Sequence, residues 1–355
     1  MGVAQAVHPH RPGARRRQVA GVLGARFAAQ LLAEESARDT VGVCDRLLAV
    51  QAQDLRSARL AVRARTRGLT VADFDRALTD ERTVVIGWLN RGTLHLVRRE
   101  DYWWLHALTT PHLFTGNARR LAQLGVTAGA ADRGVAAIAR ALAEEGPLTR
   151  DQLRERVQAA GVATDGQALI HLLMLACLRG VAVRGPLVEG KHAYVLARDW
   201  LGDPPSFDRP SALRELAHRY LGGHAPADER DLAKWAGLPL RDARAGLSDV
   251  ARPPVRAEAG TPRTCLLDQW DPLLVGWRSR AALLEHYPRR DSAKTHYRPF
   301  AYAGARAVAT WSFGDGVLTI GEPFRRLTRS VREALEADGA DVRRFLLGTK
   351  ALSEP

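Results

Sequence analysis

The sequence predicts a mainly α-helical chain with a β component (α+β): tandem winged helix-turn-helix units followed by a small C-terminal β domain. Three observations point there. Apolar residues recur at helical spacing through most of the first two thirds. The middle third runs helix, helix, helix, strand, Gly-containing loop, strand. Residues 261–355 then turn strand-like, broken by Gly and Asp. At 355 residues the chain can hold several domains with cores of their own.

The elements follow in order. Residues 1–17 are basic, lack the apolar segment of a secretory signal, and read as a disordered arm. Helices are expected over 18–33, 39–50, 56–66 and 71–89. A short β segment follows in NRGTLHLVRR (90–99), where Gly92 offers a turn and Thr93, His95 and Val97 alternate with Leu94, Leu96 and Arg98. EDYWWLHALTTP resumes a helix that ends near Pro111. Residues 18–118 thus make a first winged-helix-like unit.

The second unit, 119–203, shows the plan more clearly. Its helices lie in DRGVAAIARALAEEG, LTRDQLRERVQAAG and DGQALIHLLMLACLRG, with Thr149 and Gln152 spaced as a capping box. The strands VAVRG and HAYVLA follow. A third, degenerate unit spans 204–260, with short helices in SALRELAHRYLGGHAP, ADERDLAKWAG and PLRDARAGLSDV and a Pro-rich link at ARPPV. In the β domain, 261–355, TCLLDQW, FAYAGARAVATW and GVLTIGEPF are strand-like, and SVREALEADGADVRRFLL is a closing helix.

Composition narrows the partners. No run approaches the roughly 18 apolar residues of a membrane span, so no membrane partner is expected. Cys44, Cys177 and Cys265 follow no metal or disulfide spacing, which points to a reducing cytoplasm. No phosphate loop of P-loop type occurs, and neither cofactor nor metal is expected. The net charge of +13 points to a polyanion. Only Lys191, Lys234, Lys294 and Lys350 are lysines, so 48 of the 52 basic residues are arginine. That ratio suits phosphate recognition, but follows equally from a GC-rich genome.

The stretch LLAVQAQD (47–54) interrupts an apolar run with two glutamines. If residues 50–54 are extended, Gln51 and Gln53 face one side; on a helix they would diverge by about 200°. The helix must therefore end near Val50, leaving Asp54 to cap the next one through Ser57.

With WLNRGTLHLV (88–97), LDQWDPLLVGWRSR (267–280) and YRPFAYAGARAVATW (297–311), this stretch resembles the bacterial AlkZ/YcaQ-type DNA glycosylases, over about residues 18–347. Gln51-Ala52-Gln53 is similar to the catalytic signature of the AlkZ-like branch. The third motif departs from the family at Asp268, Gln269, Trp270 and Trp277. The resemblance implies a concave, C-shaped scaffold of tandem winged helices. It also implies a monomeric, metal-independent glycosylase acting on duplex DNA that carries N7-alkylated purines or azinomycin-like interstrand crosslinks, in DNA repair or antibiotic self-resistance. Gln51 and Gln53 would be the catalytic pair.

An N7-alkylated guanine is cationic and leaves without protonation, so a site need only hold a water and accommodate an oxocarbenium-like sugar. A neutral carboxamide suits that and is cheaper to bury than a carboxylate. The candidate DNA-binding residues are Arg56, Arg59 and Arg63, with Arg91, Thr93 and His95 beside the lesion. Simple packing competes for His95, a solvated helix face for the arginines, and core packing for Trp103 and Trp104. Asp268 and Asp271 invite a metal-dependent nuclease, without further ligand spacing. The main alternative is a non-catalytic winged-helix transcriptional regulator.

Overall fold

One six-element run is made twice. In the computed structural model, which describes residues 12–251, 260–288 and 298–348, α1 (Pro12–Ala29) leads into α2 (Thr40–Leu47), β1 (Val50–Gln51), α3 (Leu55–Arg63), α4 (Val71–Thr79), β2 (Val84–Trp88) and, past a 3-10 turn at Asn90–Gly92, β3 (Leu94–Arg98). Helices α5 (Tyr102–Thr109) and α6 (Leu113–Gln123) lead to the second run: α7 (Ala128–Glu145), β4 (Leu148–Thr149), α8 (Arg150–Ala159), α9 (Ala168–Leu178), β5 (Ala182–Val188) and β6 (Lys191–Leu196). The short α10 (Ala197–Leu201) follows.

The helices begin where local chemistry satisfies their first N–H groups. Asp54 caps α3 by accepting from the Ser57 N–H at 2.9 Å, and Thr149 with Gln152 closes a capping box on α8. The expected helix over 71–89 is instead α4 followed by β2. The run VVIGW is buried on both faces, and a short β-branched stretch so placed forms a strand. The expected helix over 39–50 stops at Leu47, where Leu48 turns left-handed (φ 64°).

All six strands join one antiparallel sheet in the order β1-β3-β2-β5-β6-β4, each run supplying three. The halves mirror one another about the β2–β5 contact at Ile86 and Arg184. One row of residues crosses every strand: Val50, Leu96, Ile86, Arg184, Tyr194, Leu148. The division expected after residue 118 therefore falls inside α6, and the two units share a sheet rather than standing apart.

A third helical group, α11 (Arg209–His224), α12 (Glu229–Ala236) and α13 (Leu240–Leu247), covers the other face of the sheet. There Leu213, Leu216 and Tyr220 pack with Val85, Leu89 and Val97. The β domain contains β7 (Cys265–Leu267), α14 (Pro272–Val275), β8 (Phe300–Ala303), β9 (Arg306–Gly314) and β10 (Val317–Ile320), in the sheet order β10-β9-β8-β7. Helix α15 (Arg329–Leu347) lies against β7 and α3. Residues 12–17, expected in a disordered arm, belong to α1; residues 1–11 and most of the Pro-rich link fall outside the described residues. Among the described residues no helix is long and apolar enough to cross a membrane.

Two arginines lock α3 to this domain. Arg63 is 3% exposed; it bonds Asp338 at 3.0 and 3.1 Å, Asp341 at 3.1 Å and the Leu266 carbonyl at 3.1 Å. Arg65, fully buried, makes two 2.8 Å bonds to Asp271 and a third to Gln30, whose own amide donates to the Gly223 carbonyl. Arg63, expected to face phosphate, is thus an interior anchor, because the helical period turns that position under α15. Arg63→Met is predicted to lower stability by about 3 kcal/mol, measured by urea unfolding. The salt dependence of duplex binding should stay at the wild-type slope; a shallower slope would return Arg63 to a DNA face.

Candidate active site

The glutamine stretch leaves the sheet at its edge. Gln51 lies opposite His95 in the β1–β3 ladder, and the Ala52 N–H donates to the Leu94 carbonyl at 2.7 Å. The chain then bends at Gln53 and Asp54 before α3 begins. Ala52 joins the main core, so the strand alternation sends Gln51 to the other side. Gln51 is buried, whereas Gln53 is exposed.

Both glutamine side chains are tethered to the segment 91–94. Gln51 Oε1 accepts from Arg91 Nη2 at 3.4 Å, and Gln53 Oε1 accepts from the Leu94 N–H at 3.2 Å. Each partner is a donor, so each amide must present its oxygen to the turn and its NH2 elsewhere. Every Oε1 keeps a second lone pair.

That turn is itself braced. Arg91 sits at φ 57° and its Nη1 donates to the Trp235 carbonyl at the end of α12. Gly237, the left-handed cap of α12 (φ 73°), lies so close that a Cβ there would stand 2.9 Å from the Arg91 nitrogen. Thr93 Oγ1 donates to the Asn90 carbonyl at 3.1 Å. Asn90 is fully buried, and neither atom of its amide has a partner. The approach of Trp235 and Gly237 to the turn is a contact no local sequence pattern announces.

His95 is 1% exposed, and its Nδ1 lies 3.0 Å from the Thr93 carbonyl. A carbonyl can only accept, so Nδ1 carries the hydrogen. Burial, then the Arg91 charge, pushes its pKa down to about 3. Across the ladder stands Gly87, where a Cβ would meet the Tyr102 ring at 2.5 Å. His95 is thus a packed, neutral imidazole beneath Gln51.

The remaining candidates disperse. Arg56 donates to the Phe313 carbonyl at 3.1 Å and lies over the Phe313 ring, tying α3 to β9. Arg59 is paired with Asp75 at 2.6 to 2.9 Å. The charge of Arg59 is answered by a carboxylate, whereas Arg56 stands at the wall of a cleft. Trp103 and Trp104 are partly buried and donate to Gly202 and Asp101. Asp271 is engaged by Arg65, which removes it from any metal set with Asp268.

A cleft of about 510 Å³ opens beside Asp54, between the start of α3 and β9, and is lined by Arg56, Asp268, Gln269, Arg298, Trp311 and Phe313 among others. Ser57 Oγ lies 2.9 Å from Asp54 and 2.7 Å from Asp268, two residues of that lining; its one hydrogen serves only one of them. Arg298 and Gln269 enter through chain segments far from the glutamines in sequence and were not legible there.

The profile of the DNA glycosylase AlkZ-like family matches residues 44–345. Among solved structures the chain is similar to Streptomyces sahachiroi DNA glycosylase AlkZ, at 23% identity and a TM-score of 0.70, with 92% of this chain and 95% of that one covered. At that identity the likeness shows the shared fold. No curated protein matches.

The His95 environment has a pH consequence. Between pH about 6.5 and about 3 the unfolded chain takes up a proton on this residue and the folded chain does not, so stability falls on acidification through that window. His224, also buried, behaves alike, with its pKa again about 3. Each should remove up to about 1.4 kcal/mol per pH unit below 6.5. Ring nitrogen shifts should report a neutral His95 at pH 5; titration near 6.5 would show it hydrated.

Proposed function

The chain belongs to the AlkZ-like DNA glycosylase family, and from that premise we propose that it is a monofunctional glycosylase for duplex DNA carrying N7-alkylated purines, azinomycin-like interstrand crosslinks included. The observation that carries this reading is the double tether. Arg91 and the Leu94 N–H each hold one glutamine by its Oε1, which ties both amides to the same short segment and supports their acting together.

In the proposed reaction the C1′–N9 bond breaks and its electron pair passes to the purine, cancelling the charge that N7 alkylation placed there. The sugar becomes an oxocarbenium-like cation. A water held through the remaining Oε1 lone pairs of Gln51 and Gln53 bonds to C1′ and gives its proton to solvent. The amide NH2 groups, turned away from the turn, donate to sugar or phosphate oxygens. No strong base is required, because the leaving group is already activated; the protein supplies position and excludes competing nucleophiles. On unmodified guanine the same arrangement lacks a leaving group.

Asp54 is the rival base, since it borders the cleft next to Gln53. Its carboxylate is engaged with the first turn of α3 through Ser57, a role that asparagine also fills. With EDTA present, the purified protein should release N7-alkylguanine and leave abasic sites. Under enzyme excess, Gln53→Ala should slow release by about 10²–10³-fold. Gln51→Ala should also be slow, with a combined loss smaller than the product. Asp54→Asn should keep most activity. Abolition by Asp54→Asn with both glutamine variants near wild type would make the carboxylate the base. Retention of DNA without base release would indicate a regulator.

A further inference from the structure

Five of the six side chains in the row across the shared sheet are apolar or aromatic members of the main core; the sixth is Arg184, at the seam between the two halves. Its guanidinium lies over the rings of Trp88 and Tyr194, 5.5 Å from each centroid, and Nε donates to the Tyr194 hydroxyl at 3.1 Å. It is half-buried, and among the described residues no carboxylate pairs with it. On the next strand His192 is likewise half-buried, and both of its ring nitrogens lack a partner. Burial first, then Arg184 and Arg59, pushes its pKa down to about 3. Arg59 is satisfied by Asp75, so its charge is answered locally. The charge of Arg184 is not.

A cation seated against aromatic rings with no carboxylate partner keeps an unanswered charge, and the rings offset only part of the cost of its partial burial. The rings lie against the guanidinium while, among the described residues, its terminal N–H groups have no protein partner, which leaves them for two oxygens of one oxyanion. The neutral imidazole of His192, two residues before Tyr194 on β6 and so on the same face, offers a further N–H in a second direction, which a tetrahedral anion meets better than a planar one. Arg150, exposed at the start of α8, adds positive potential at Tyr194. We propose that Arg184, Tyr194 and His192 form a binding site for a single phosphate group. Val50 shares the row of Arg184, so Gln51, the next residue, points to the opposite face. The site is therefore separate from the glutamines and does not rest on the glycosylase reading. The phosphate is either that of a DNA backbone or a free ion.

The test uses the unmodified full-length protein with labelled histidine rings, titrated with inorganic phosphate and separately with an undamaged duplex at constant ionic strength. Saturable movement of the His192 ring signals with phosphate, lost in Arg184→Gln, establishes the site for the free ion. Movement with duplex, together with a log–log salt slope shallower by about 0.9 in Arg184→Gln, assigns a backbone phosphate. His192 signals unmoved by both additions overturn the proposal, whatever the variant does. So does movement that persists in Arg184→Gln.

Discussion

The fully buried pair of Arg65 with Asp271 ties more of this structure together than any other polar contact. Arg65 leaves the end of α3, grips the β domain at Asp271, and spends its remaining Nη2 hydrogen on Gln30 beside α1. Gln30 then donates to the Gly223 carbonyl in the third helical group. Four parts of the chain thus meet in one run of hydrogen bonds. A buried pair contributes little net stability, because desolvation consumes most of its attraction, yet breaking it strands a charge. Its effect is geometric: it sets where α3 stands, and with α3 the bend at Gln53 and the cleft beside Asp54.

The glutamine stretch occupies a departure from an internal repeat. In the second run Thr149 is both the last residue of β4 and the cap of α8. In the first run β1 ends at Gln51 and α3 starts at Leu55, so Ala52, Gln53 and the cap Asp54 are three extra residues between the same two elements. The element order is duplicated, and the glutamine stretch proposed as the site lies where the first copy carries this extra segment. A second departure is Arg184, the lone charged member of an otherwise apolar row.

Arginine content and arginine placement tell different stories. The net charge of +13 describes the whole chain, but the arginine-rich helix that looked most suited to phosphate is largely turned inward or paired. Arg63 and Arg65 are interior, Arg59 faces Asp75, and Arg56 faces Phe313. Their long apolar stems and forked heads make them suitable for bridging packed elements, a use that composition cannot distinguish from a DNA face.

Local chemistry was legible in the sequence. The caps at Asp54 and Thr149, the order of the middle helices and strands, and the break in helix before Gln51 all follow from neighbouring residues and from period. So does the motif that led to the family. What periodicity could not show was the run VVIGW as a buried strand, since an apolar stretch covered on both faces carries no alternation. Nor could it show that two units share one sheet, that Arg91 is braced by Trp235 and Gly237, or that Asp268 and Arg298 border the glutamine bend. Those depend on contacts between residues far apart in the chain. Burial and charge pairing exist only after packing, so they were decided by the tertiary structure alone.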